Sequence, residues 1–192
     1  MTRFLVARVQ LLSALATLLL GIRVANCLSH GQLNQFGIVP RSLESLPHIL
    51  SASFLHGNFG HLFNNLLSLL VLSAFALIQS VRFYVVSRLI IIAFSGLLVW
   101  LFGRGAVHTG ASGWIFGLWS LAIANAWFER NFKNIAILVV MIILYGGMAF
   151  GVLPTDPRIF YEAHQAGVVS GVVWAYLNAK FKRNGGSAKL RL

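Results

Sequence analysis

The chain has 192 residues, of which 58% are hydrophobic and 10% charged, against about 25% charged in an ordinary soluble domain. That composition excludes a soluble globular domain and a disordered chain, and the lone Cys27 excludes a disulfide-stapled fold. Lys and Arg number 15 against 4 Asp and Glu, a net charge of +11; in a soluble protein this would suggest nucleic acid, but its distribution here points to a membrane.

A membrane-crossing helix needs about 20 mostly apolar residues. Charge-free runs at 45–81, 105–128 and 134–155, with shorter ones at 9–22, 89–103 and 163–179, predict helices near 4–27, 60–80, 83–103, 111–128, 134–153 and 160–180. The expectation is an all-α, polytopic membrane protein, a single bundle of six transmembrane helices over residues 1–192. Arg3 and Arg8 before an apolar run resemble a signal peptide, but no clean small-x-small cleavage site follows, so the first helix is read as uncleaved. The connection from 28 to 59 is punctuated by Pro40 and Pro47 and carries apolar pieces such as Ile38-Val39 and Ile49-Leu50, which suits a loop seated partly in the lipid interface. Runs such as LLSLLVLSAFALI do not alternate, which excludes a transmembrane barrel.

With both termini cytoplasmic, the inside carries Arg3, Arg8, Arg82, Arg88, Arg130, Lys133, Lys180, Lys182, Arg183, Lys189 and Arg191, and the outside only Arg23, Arg41, Arg104 and Arg158. The positive-inside bias sets that orientation. Three of the four acids, Glu44, Asp156 and Glu162, fall outside. The basic tail 181–192 reads as a cytoplasmic anchor near anionic lipid, with no nucleic-acid partner.

Three polar clusters stand at helix starts: His56-Gly-Asn-Phe-Gly-His61-Leu-Phe-Asn64-Asn65 in helix 2, Gly110-Ala-Ser112-Gly113 in helix 4, and Glu162-Ala-His164-Gln-Ala-Gly167 with Gly171 in helix 6. Helices 2, 4 and 6 all run inward, so at about 1.5 Å per residue the clusters share one layer within about 10 Å of the outer surface. Polar groups inside a membrane are costly and usually functional. His61 and Asn65 share a helix face. Gly113 with Gly117, and Gly167 with Gly171, are small-xxx-small pairs that let helices 4 and 6 approach closely and so bring Ser112 toward His164. A serine needs an adjacent base to become a nucleophile, and histidine suits that role. Free N–H groups at the start of helix 4, with His61 and Asn65, could face a developing oxyanion. Glu162 is two residues from His164 and on another face, so the reading is a Ser–His dyad with no third member.

Against this, a lone serine in a membrane helix usually bonds to its own i−4 carbonyl, and glycine pairs alone mean packing. His56, Asn64 and His108 read as interfacial polar residues. Zinc at His56, His61, His108 and His164 lacks an acidic ligand in the helical layer and an H-E-x-x-H motif, so no metal and no cofactor is expected. A transporter would show broken helices and an inverted repeat.

The His-x4-His-x3-Asn run ending at Asn65, the Gly-x-Ser-Gly at 110–113 and the Ala-His-x-x-Gly-x-x-x-Gly from Ala163 together resemble the rhomboid intramembrane serine proteases of the compact six-helix, GlpG-like bacterial kind. The resemblance covers nearly the whole chain. It implies Ser112 as nucleophile, His164 as general base, and an oxyanion hole of His61, Asn65 and the Ser112 N–H. Gly110 would shape the turn, and Gly113, Gly167 and Gly171 would support helix packing. It also implies transmembrane protein substrates within the lipid bilayer, in a bacterial inner membrane. The chain departs from the family pattern at three places. Pro47 and His48 replace a frequent Trp-Arg pair, Phe116 replaces a Tyr that stacks on the catalytic His, and Leu77 and Gln79 stand where a Glu is often found. The alternative is a non-catalytic binder or chaperone of membrane proteins on the same scaffold.

Overall fold

A computed structural model describes residues 2–154 and 160–184. Asp156, Arg158, Lys189 and Arg191, named above for the charge count, lie outside the described residues. Six α-helices run in chain order: α1 Thr2–Leu28, α2 Phe59–Gln79, α3 Val81–Phe102, α4 Ser112–Phe128, α5 Phe132–Tyr145 and α6 Tyr161–Arg183. Helix α5 ends at Tyr145, short of the 153 expected for the fifth helix. A 3₁₀ segment, Gly146–Val152, prolongs α5. Among the described residues, β structure is limited to an isolated bridge between Ile38 and His108.

The helix starts follow from capping chemistry. Asn58 accepts the His61 N–H at 2.7 Å to open α2, Ser80 accepts the Phe83 N–H at 3.0 Å to open α3, and Asn131 accepts the Asn134 N–H at 2.9 Å to open α5. Ser80 is extended and serves both the end of α2 and the start of α3, which turns the chain back on itself within one residue.

Helix α4 forms the centre. Trp114, Ile115, Leu118 and Leu121 are buried, among Leu69 and Leu72 of α2, Ile91 of α3, Met141 of α5 and Ala175 of α6 in one continuous core. Leu15 and Leu19 of α1 join the same core. Outward-facing residues are apolar too: Leu67 of α2 and Phe132, Ile142, Ile143 and Leu144 of α5 are all exposed. An apolar exterior round an apolar core is what a lipid solvent permits.

Four helical stretches, Leu5–Leu28, Phe59–Gln79, Val81–Phe102 and Phe132–Val152, are long and apolar enough to cross a membrane on their own. The sequence reading counts six. The other two are α4, which is strongly apolar but has only 17 residues, and α6, which carries the polar cluster at its start and basic residues in its last turn.

The first loop is structured. It contains three 3₁₀ segments, Gln32–Phe36, Leu43–Ile49 and Ala52–Phe54. In place of the Trp-Arg pair, other contacts brace it. Trp100 Nε1 donates to the Ser42 carbonyl at 2.8 Å, and Arg41 Nη1 donates to the Gly103 carbonyl at 3.0 Å. Ile38 and His108 exchange backbone hydrogen bonds of 2.8 and 3.0 Å. A β-carbon on Gly96 would overlap Ile49, so this glycine lets the loop lie against α3. At the other end of the bundle, Gln79 donates to Asn134 Oδ1 at 2.6 Å, linking α2 to α5. Lys182, assigned from sequence to the tail, lies in the last turn of α6 and holds the Glu129 carboxylate at 2.8 Å.

Candidate active site

Helices α4 and α6 cross on their glycines. A β-carbon on Gly167 would collide with the Gly113 carbonyl, and one on Gly171 with the Gly117 carbonyl and Ser120 Oγ. Only hydrogen at these positions allows so close an approach. Ser120 Oγ uses the proximity to donate to the Val168 carbonyl at 3.0 Å. At the end where both helices begin, a β-carbon on Gly113 would lie 3.2 Å from the Ala163 carbonyl oxygen. The residue after Ser112 therefore lies against the residue before His164.

Ser112 is the first residue of α4, following Ala111 as cap. N–H groups in a first helical turn have no acceptor within the helix. The approach to Ser112 needs Gly110, whose φ is +122°, a backbone region that side chains rarely adopt. Its N–H donates to the Ala52 carbonyl at 3.0 Å, tying the turn to the first loop. A β-carbon there would lie 2.7 Å from His61 Cε1 and 3.5 Å from Asn65 Nδ2. His61 and Asn65 thus face the backbone two residues before Ser112.

The His164 ring is fixed on two sides. Its Nδ1 is 2.6 Å from the Gly151 carbonyl oxygen. With that acceptor, Nδ1 carries the proton and Nε2 is left with a free lone pair, as a base requires. Phe116 stacks on the ring with centroids 4.1 Å apart and planes 10° from parallel. The ring expected in place of the family's Tyr is therefore present and in contact.

Two histidines are more deeply built in than the sequence suggests. His56, read there as interfacial, is 1% exposed. Its Nε2 pairs with Asn65 Nδ2 at 3.2 Å, and its ring stands edge-on to His61 at 5.1 Å. Burial first, and the neighbouring His61 second, push its pKa down to about 4, so it is neutral and can accept from the Asn65 amide. His56 therefore orients Asn65; its place at the head of the His-x4-His run was the available signal. His108 is likewise buried, and burial lowers its pKa. Among the described residues, no group of three or more His, Cys, Asp or Glu side chains is arranged to hold a metal ion.

The sequence profile of the Rhomboid domain matches residues 44–181, which include every residue described at this site. The chain belongs to the rhomboid family. An uncharacterized protein of Mycobacterium tuberculosis (strain H37Rv) is 32% identical over 184 residues, covering 91% of this chain and 76% of that protein. An uncharacterized protein of Mycobacterium leprae is 34% identical over 185 residues, covering 91% and 72%. The chloroplastic rhomboid-like protein 11 of Arabidopsis thaliana is 28% identical over 152 residues, covering 69% and 52%. The rhomboid fold is a polytopic helical membrane fold, in agreement with the architecture above.

Proposed function

We propose that this rhomboid is an intramembrane serine endopeptidase that cleaves transmembrane proteins in or near their membrane segment. The observation that carries the reading is the crossing of α4 on α6, where Gly113 meets Ala163 and the Phe116 ring lies on His164. Ser112 Oγ attacks the scissile carbonyl, and His164 Nε2 takes its proton and returns one to the leaving amine. The Ser112 N–H, His61 and Asn65 stabilise the tetrahedral oxyanion, each donor contributing about 2–4 kcal/mol. The Gly151 carbonyl stands where a third triad member would, holding Nδ1–H and thus the ring tautomer.

The length of α4 supports a site below the membrane surface. Its 17 residues span about 25 Å, less than the roughly 30 Å of hydrocarbon. With both termini cytoplasmic, the site opens to the outer face, and water for deacylation enters from there. The substrate helix must unwind to present its carbonyl, because an intact helix keeps its carbonyls bonded. The test is purified protein in detergent with a transmembrane reporter. Wild type is expected to cleave it and Ser112→Ala to leave it intact while remaining folded; equal cleavage by both would reject the reading.

A further inference from the structure

Neither Ser112 nor His164 is positioned by its own helix alone. Helix α6 begins at Tyr161 after Phe160, with no side-chain hydrogen bond capping it. His164 lies in this first turn, where an uncapped helix would fray. The compensating contacts come from the end of α3 and the segment after it. Arg104 Nε pairs with Glu162 Oε1 at 3.1 Å, with the Glu162 side chain 14% exposed. The same guanidinium lies 4.9 Å from the Phe160 ring centroid and 5.2 Å from that of Tyr161. One cation thus grips three consecutive residues at the start of α6.

Arg104 also reaches the segment that delivers the serine. Its carbonyl lies 3.0 Å from His108 Nε2, and the His108 ring packs on Phe160 with centroids 4.5 Å apart. His108 is four residues before Ser112 and Glu162 two before His164. The His108 backbone is in turn bonded to Ile38 of the first loop. A single cluster, Arg104–His108–Phe160–Glu162, therefore joins the segment entering α4 to the segment entering α6.

From this arrangement we propose that Arg104 and Glu162 are positioning residues of the hydrolytic site: their ion pair, with the His108–Phe160 ring contact, fixes the first turn of α6 so that the His164 ring stands in register with Ser112. The proposal rests on the protease reading above. Sequence reasoning set Glu162 aside because it faces away from His164; that same direction is what brings it to Arg104.

A positioning role makes a specific demand. Displacing a catalytic group by about 1 Å can cost about 100-fold in rate, while substrate binding along the rest of the site is untouched. Glu162→Gln keeps the size and removes the charge; Glu162→Asp keeps the charge and leaves Arg104 on the Phe160 and Tyr161 rings. The experiment measures kcat and KM for a transmembrane reporter, the rate of labelling by a fluorophosphonate, and the unfolding midpoint in detergent. Glu162→Gln is expected to lower kcat and the labelling rate together by roughly 10- to 100-fold, with KM and the unfolding midpoint close to wild type. Glu162→Asp is expected to retain a large part of the wild-type rate. Wild-type kcat in Glu162→Gln overturns the proposal. So does a loss of activity in Glu162→Gln that only follows a lowered unfolding midpoint, or one that Glu162→Asp shares in full. A folded wild-type protein that neither cleaves nor is labelled would instead overturn the protease reading beneath it.

Discussion

Phe116 lies flat on His164, and the Gly151 backbone closes the Nδ1 edge of the same imidazole beside it: a β-carbon at Gly151 would be 2.9 Å from Phe116 Cζ and 3.7 Å from His164 Nδ1. The ring is thereby held in one plane with its Nδ1–H spoken for. Phe116 supplies a face and no hydroxyl, so the contact is one of shape and dispersion. Phe116→Tyr is expected to keep near wild-type cleavage. Phe116→Ala is expected to lower kcat by about 10- to 100-fold through a loosened base and to reduce unfolding free energy by about 3 kcal/mol, since the side chain is largely buried. Reporter kinetics and detergent unfolding check the two parts separately.

The α4–α6 crossing has no spare space at its glycines. Gly171→Ala would press a methyl group against the Gly117 carbonyl and Ser120 Oγ, and Gly167→Ala would press one against Gly113, all backbone or buried partners with little room to give. Each is expected to cost about 1–3 kcal/mol or more. By contrast, Gly21 in α1 has nothing within 4 Å of a β-carbon, so Gly21→Ala is expected to be neutral or stabilising by about 0.5–1 kcal/mol. Comparing the three unfolding curves checks the packing.

Buried His56 gives the fold a pH dependence. Its pKa is about 4 in the folded protein and about 6.5 in the unfolded chain. Between those values the unfolded state binds the extra proton, so stability rises with pH across this window and is lost on acidification. Below about pH 4 and above about pH 6.5 the contribution is flat, and the full change is about 3 kcal/mol. His108, with its pKa lowered by burial, adds to the same trend. The slope of unfolding free energy against pH from 6.5 to 4 is expected to be smaller in His56→Asn than in wild type.

The helices and the site were legible for different reasons. Helix positions came from apolar run length, which the bilayer enforces. The candidates Ser112, His164, His61 and Asn65 came from chemistry repeated at one depth, and the glycine pairs already implied the α4–α6 crossing. What escaped the sequence is what depends on partners distant in the chain. His56 looks interfacial until its partner Asn65 and its burial are seen. Glu162 looks irrelevant on its own helix and is explained only by Arg104 on another. The first loop lacks the family's bracing pair, and its substitutes, Trp100 on Ser42 and Arg41 on Gly103, lie about 60 residues apart, beyond the reach of any local pattern. Helices α4 and α6 fall short as free-standing spans for separate reasons: α4 has 17 residues, and α6 carries polar and basic residues at its ends.

The central claim, that Ser112 is a nucleophile activated by His164, is tested most directly by locating a covalent adduct. Folded protein treated with a fluorophosphonate and mapped by peptide mass spectrometry is expected to carry the label on Ser112, with labelling abolished in His164→Ala. An adduct confined to another residue, unchanged labelling of Ser112 in His164→Ala, or no adduct on the folded wild-type protein would contradict it.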